Sequence, residues 1–230
     1  MKSPSITWSL RLSLLGLLIL SASMLWTAYH FKNVDGSPFN PLRNFVSELG
    51  MPKSSQAAAW FNLGIIVSSP LFFPLVCILG SRIKGWLGYA AIGVGFCALL
   101  GSVGVGFVPM DQLKLHLLAA LIFFWGWLGT AFLFTVGFWR RYSFREAPSL
   151  ILAGILTILS SIGFLAVLTR TMNGPVGQAF LKPNSFKRPL VWDLAILEWC
   201  VVGSFVVWVL TAQFYLHRSE RSAGTPARHA

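Results

Sequence analysis

Charge is scarce in this chain. Only 11% of its 230 residues are charged, against about 25% in an ordinary soluble domain, which excludes a water-soluble fold. Acidic residues are the scarcest, 7 against 18 Lys and Arg. The resulting formal charge of +11 does not point to nucleic acid. The basic residues stand singly or in pairs at the ends of apolar runs, and no basic stripe remains. The three cysteines, Cys77, Cys97 and Cys200, all fall inside apolar runs without a CxxC pair. That excludes a disulfide framework or a thiolate metal site, and they read as small apolar residues. His116 is the only histidine well inside a span, which speaks against the histidine-rich membrane metal hydrolases and leaves a carboxylate-rich metal site as the alternative to the expected absence of metal and cofactor. GxSxG, HExxH, GxxxxGK(S/T) and CxxCH are all missing, removing the common hydrolase, zincin, nucleotide and haem-attachment readings.

What is abundant is hydrocarbon, with 55% hydrophobic residues gathered in blocks of 20 or more, near the length that crosses ~30 Å of bilayer core. The expected fold is all-α: a single bundle over residues 1–216 with six transmembrane helices, at about 8–30, 56–80, 86–109, 113–138, 149–170 and 191–216, followed by a disordered cytoplasmic tail at 217–230. The first span reads as a retained signal anchor. Pro70 and Pro74 are expected to kink the second span. Gly93, Cys97 and Gly101 fall four apart on the third and are expected to form a close-packing face. Six spans put both termini on one side. Ten of the 18 basic residues gather there, including the tight loops "SRIK" and "RRYSFR", so both termini are expected in the cytoplasm. Trp26, Tyr29, Trp60 and Trp192 should mark one interface, and Trp86, Tyr89, Trp139 and Tyr142 the other.

The acidic residues are one-sided. Asp35, Glu48, Asp111, Asp193 and Glu198 belong to the end away from the termini, with Asn44, Asn62, His116 and Arg170. Between the first two spans, "FNPLRNFVSELGMPKSS" carries its own start and stop signals. Asn40 caps, Pro41 suits the first position and Gly50 ends, so 41–49 is expected to be a short interfacial helix. It either lies flat in the interface or acts as a lid with Glu48 turned inward. Asp111 is a candidate cap for the fourth span. Glu198, roughly 9 Å below the surface by helical rise, needs a partner, and His116 and Arg170 are nearest in depth. An ionisable residue inside a membrane is costly, and so marks function or a polar lock on helix register.

"NFVSELG", "AAAWFNLG", "VGFVPMDQLKLHLLAA" and the late "LEW" resemble the six-helix bacterial and archaeal membrane family numbered 998 among the domains of unknown function. More distantly they resemble the eukaryotic FRAG/DRAM/Sfk group. The resemblance covers about residues 8–216, with Ser47, Glu48, Leu49, Gly50, Asn62, Pro109, Asp111, His116 and Glu198 on the family pattern. It implies a six-helix membrane protein, and by analogy with the eukaryotic group, lipid handling.

Three functions compete. The first is binding or handling of a lipid or lipid-linked molecule. A polar pocket near the outer leaflet would include Asn44, Asn62, His116, Arg170 and Glu198, with Arg170, Lys182, Lys187 and Arg188 meeting phosphate headgroups. The second is an intramembrane hydrolase or acyltransferase, with Ser47 as nucleophile and Glu48, Asp111, His116 and Glu198 for acid–base work. The third is a small transporter, against which stands the lack of an internal repeat. Membrane lipids are the expected partners, with no nucleic acid. Oligomeric state is left open.

Overall fold

A computed structural model describes residues 4–174 and 189–223. Lys182, Lys187 and Arg188, and residues 224–230, lie outside that set. The helices are α1 (Pro4–Tyr29), α2 (Ala58–Leu71), α3 (Phe73–Ile83), α4 (Trp86–Phe107), α5 (Leu113–Glu146), α6 (Pro148–Asn173) and α7 (Asp193–Ala223). Among the described residues two short 3-10 turns, Ser47–Gly50 and Met110–Gln112, lie between them. The architecture is all-α, and among the described residues six candidate spans are long and apolar enough to cross a membrane: Ser5–Tyr29, Ala58–Ile83, Trp86–Phe107, Met110–Tyr142, Pro148–Asn173 and Asp193–Glu220. α7 continues to Ala223, so residues 217–223, expected in a disordered tail, are helical.

One span is broken. α2 ends and α3 begins at Phe72. Pro70 and Pro74 each lack the N–H that would close an i→i−4 bond, and Pro74 sits in the first turn of α3, where none is needed. The break is the kink expected from the prolines.

The crossings form a ring. α1 packs on α2, α2 and α3 on α4, α4 on α5, α5 on α6, α6 on α7, and α7 returns to α1. Aromatic side chains fill the middle. Trp127 meets Phe205 and Trp208 edge-on, with ring centroids 4.8 and 5.2 Å apart. Phe134 continues the stack at 5.4 Å from Trp208. The small residues that α4 buries are Gly88, Ala91, Gly95, Ala98, Gly101 and Gly106. The expected Gly93–Cys97–Gly101 face is therefore corrected: Gly93 borders open space and Cys97 is exposed, while Gly101 lies against the backbone of Phe123 on α5. A four-residue spacing finds one stripe, but a helix flanked on both sides needs two.

Trp26, Tyr29, Trp60, Trp86, Tyr89 and Trp139 are exposed, as an interfacial belt requires. Trp192 is not part of it. It is 4% exposed, packed on Phe45 with centroids 4.6 Å apart, and its amide donates to the Leu42 carbonyl at 2.8 Å.

Candidate functional site at the lidded end of the bundle

The connection between α1 and α2 folds over one end of the ring. The Lys32 amide donates to the Ser54 carbonyl at 2.8 Å, and the Asn33 amide to Ser37 at 2.8 Å. Residues 41–49 are not one helix, contrary to the sequence expectation. Asn40 opens a turn, its Oδ1 accepting from the Leu42 amide at 3.0 Å and its carbonyl from Asn44 at 2.7 Å. The chain then passes through Phe45 and Val46 into the 3-10 turn at Ser47–Gly50. The turn pattern breaks at Phe45, which, with Val46 and Leu49, is buried in the bundle. Burying these three apolar side chains outweighs the few intrahelical hydrogen bonds that two turns of α-helix would add.

Two carboxylates hold this lid. Glu48, 3% exposed, accepts from the Asn44 amide group at 2.8 Å and reaches back three residues to the Phe45 N–H at 3.2 Å, as in a capping box. Glu198, 6% exposed on α7, accepts from the Val46 N–H at 2.7 Å. Ser47 is next along the chain, its hydroxyl pointing to Met110 Sδ at 3.8 Å. The first amides of any helical turn lack intrahelical partners. Here carboxylates supply them, and these charge-assisted bonds offset the several kcal/mol that burying a carboxylate costs.

Asn44, wholly buried, ties the lid together. Its Nδ2 donates to Glu48 and to Asn33 Oδ1 at 2.7 Å. Its Oδ1 accepts from the Asn40 amide at 3.1 Å and from Asn33 Nδ2 at 3.3 Å. Its carbonyl accepts from the Trp199 indole at 3.0 Å. Asn62 fastens the far end, donating from Nδ2 to the Gly50 carbonyl at 3.0 Å. Gly50 permits that approach, since a Cβ there would collide with Asn62 Oδ1.

Two cavities lie beneath, and Ser47 and Glu198 line both. The larger, about 90 Å³, occupies the middle of the ring and is mostly apolar, with Ser68, Ser69, Ser102 and Trp127 in its wall. Ser69 donates to Ser102 at 2.8 Å. The Trp127 indole N–H is buried without an acceptor. The smaller, about 50 Å³, lies toward α5 and α6 and includes His116, Phe45 and Trp192. His116, 3% exposed, has Nδ1 2.7 Å from the Val108 carbonyl. A carbonyl only accepts, so Nδ1 carries a proton there, and Nε2 is the ring nitrogen left for other partners.

Of the residues singled out from sequence, Ser47, His116 and Glu198 meet at one cavity, while Asn44, Glu48 and Asn62 hold the lid. Arg170 and Asp111 do not join them. Arg170 is exposed at the end of α6 and lines neither cavity, so the expected Glu198–Arg170 pair is replaced by the Val46 amide. Asp111 is exposed in the 3-10 turn before α5, whose cap position is Gln112, without a side-chain cap bond. Asn33, Trp199 and the Ser68/Ser69/Ser102 set escaped the sequence reading. The signal for the serines was their place inside otherwise apolar spans. Among the described residues no group of three or more His, Cys, Asp or Glu is arranged to hold a metal ion. No family model, curated protein or solved structure matches this chain.

Proposed function

We propose that this membrane protein binds a lipid or lipid-linked molecule under the lid, its polar part at Ser47 and Glu198 and its hydrocarbon in the cavity at the centre of the ring. The observation that carries the reading is that one buried carboxylate both fastens the lid, through the Val46 amide at 2.7 Å, and lines two mostly apolar cavities. A ligand that competes for Glu198 loosens the lid as it enters. The cavities, about 90 and 50 Å³, are well below the ~300 Å³ at which ligand pockets begin, so a lipid-sized ligand must widen them. The resemblance to the six-helix family and to the lipid-handling FRAG/DRAM/Sfk group runs the same way. The basic loops favour cytoplasmic termini, which puts the lid at the outer leaflet.

Native mass spectrometry after gentle extraction tests the reading. The parent protein should carry a lipid, and Val202→Phe, which fills the central cavity from α7, should not. Glu198→Gln should lower occupancy. A lipid-free parent, or undiminished occupancy in Val202→Phe, refutes the proposal.

A second reading, an acyl hydrolase or transferase, is favoured by one observation: Ser47, His116 and Glu198 line the same cavity, with His116 Nδ1 fixed by Val108. Under it, a fluorophosphonate reagent should label Ser47, and His116→Ala should abolish the labelling. Unlabelled Ser47 in intact membranes removes this reading.

A further inference from the structure

We propose that the end of the bundle opposite the lid carries a separate site for the phosphate of an anionic phospholipid, built from Lys84, Arg140 and Arg141. A pocket of about 240 Å³ lies there, lined by these three cations with Ile83, Trp86 and Gly137 among its walls. It shares no residue with the cavities under the lid.

The fold gathers the three charges for local reasons. Only Lys84 and Gly85 connect α3 to α4, and both have positive φ, 60° and 72°, which reverses the chain within two residues. Ile83 seats directly on Gly137 of α5, where a Cβ would meet its side chain at 2.6 Å. That contact brings the Lys84 turn against α5. Arg140 and Arg141 follow Gly137 by three and four residues, which places all three on one helix face.

Among the described residues no carboxylate pairs with Lys84, Arg140 or Arg141, and the Arg43–Asp35 ion pair lies at the other end, within the lid connection. Lys84, Arg140 and Arg141 are all exposed. Arg141 lies 5.9 Å from the centroid of its neighbour Tyr142, a contact that leaves its charge in place. Three like charges around one concavity repel one another, and an anion relieves that repulsion. The N-terminus of α4 opens into the same pocket without a side-chain cap, adding the positive end of a 22-residue helix.

Depth selects the anion. Trp86 lines the pocket and is exposed, as are Tyr89 one turn along α4 and Trp139 beside Arg140 on α5, and exposed indoles and phenols mark the headgroup level of a bilayer. The anion at that depth is a lipid phosphate. The shared chemistry is phosphate recognition by Lys and Arg, and free phosphate is the other source of it.

The purified protein is exchanged into mild detergent with phosphatidylglycerol, phosphatidylcholine or inorganic phosphate. Lipid binding is counted by native mass spectrometry and thermal stability is read alongside. Phosphatidylglycerol should be retained over phosphatidylcholine. Its affinity should fall about fivefold for each cation removed, and on the order of 100-fold in Lys84→Asn/Arg140→Gln/Arg141→Gln. Lys53→Gln/Lys114→Gln, which removes charge at the lidded end, should leave retention unchanged. The three single variants guard against misfolding of the triple one, since each should lose affinity at parental melting temperature. Equal retention of the two lipids by the parent overturns the site, as does undiminished phosphatidylglycerol binding by the triple variant. Stabilisation by inorganic phosphate that depends on the three cations, without preference between lipids, overturns the assignment to a lipid.

Discussion

Asn44→Ala separates a lid from a piece of core. The Asn44 side chain makes four hydrogen bonds: to Glu48 at 2.8 Å, to and from Asn33 at 2.7 and 3.3 Å, and from the Asn40 amide at 3.1 Å. The bond to Glu48 is charge-assisted and buried, worth about 1.5–3 kcal/mol, and the neutral ones about 0.5–1.5 kcal/mol each. Asn33 and Asn40 are partly exposed, so water replaces part of what they lose. The total is about 3 kcal/mol, and it falls on lid opening, because the bonds tie the lid connection to itself. At ~1.4 kcal/mol per tenfold, the amides of Phe45 and Val46, which the two carboxylates hold, should exchange with deuterium on the order of 100-fold faster. Amides in the middle of α7 should exchange at the parental rate. Asn44→Asp, nearly the same shape, tests the chemistry further. It loses both Nδ2 donors and sets a second carboxylate against Glu48, so it should accelerate exchange at least as much as Ala. The reasoning fails if lid exchange rises less than tenfold while the whole bundle melts earlier, which would make Asn44 a core residue with no special hold on the lid.

Gly50→Ala should destabilise the lid by about 1–3 kcal/mol, since the added Cβ collides with Asn62 Oδ1. Asn62→Ala in the same chain should recover part of the loss, as thermal unfolding will show. Asp35 titrates at about 2, held down by the hydroxyl and then the amide of Ser37, and by Arg43 at 3.0 Å. A carboxyl with a folded value below its unfolded one stabilises the fold above the unfolded value and loses that contribution as pH falls through the folded one. The turn at residues 33–37 should therefore loosen between about pH 4 and pH 2. By NMR titration, Ser37→Ala and Arg43→Ala should each raise the Asp35 value. Lys84→Gly should raise the melting temperature, corresponding to about 1 kcal/mol, because φ of 60° with ψ of 149° is a conformation natural to glycine. No gain would mean that the Lys84 side chain contributes as much as its backbone costs.

The amino-acid sequence alone determined the crossings. A run of about 20 apolar residues has few stable fates other than a membrane helix, and a helix satisfies its own backbone there. Pro70 and Pro74 likewise dictated the break at Phe72, because a missing N–H is a local property. That Glu198 faces inward was also legible, since the cost of turning a charge to lipid has one sign whatever the fold, whereas for Glu48 a flat interfacial segment and an inward-turned lid fitted the sequence equally. Their partners were not legible. Sequence reasoning matched Glu198 to the side chains nearest in depth, Arg170 and His116, but the donor is the Val46 amide, 152 positions away along the chain. Every residue carries such an amide, and only the tertiary path of the lid decides which ones are left unpaired at a carboxylate. Trp192 shows the same division. A tryptophan at a span end belongs to the interface until a neighbour covers it, and Phe45, brought by the lid, does so. The packing face of α4 was decided in the same way. Its glycines announce close approach, but which of them are used depends on having α2 and α3 on one side and α5 on the other.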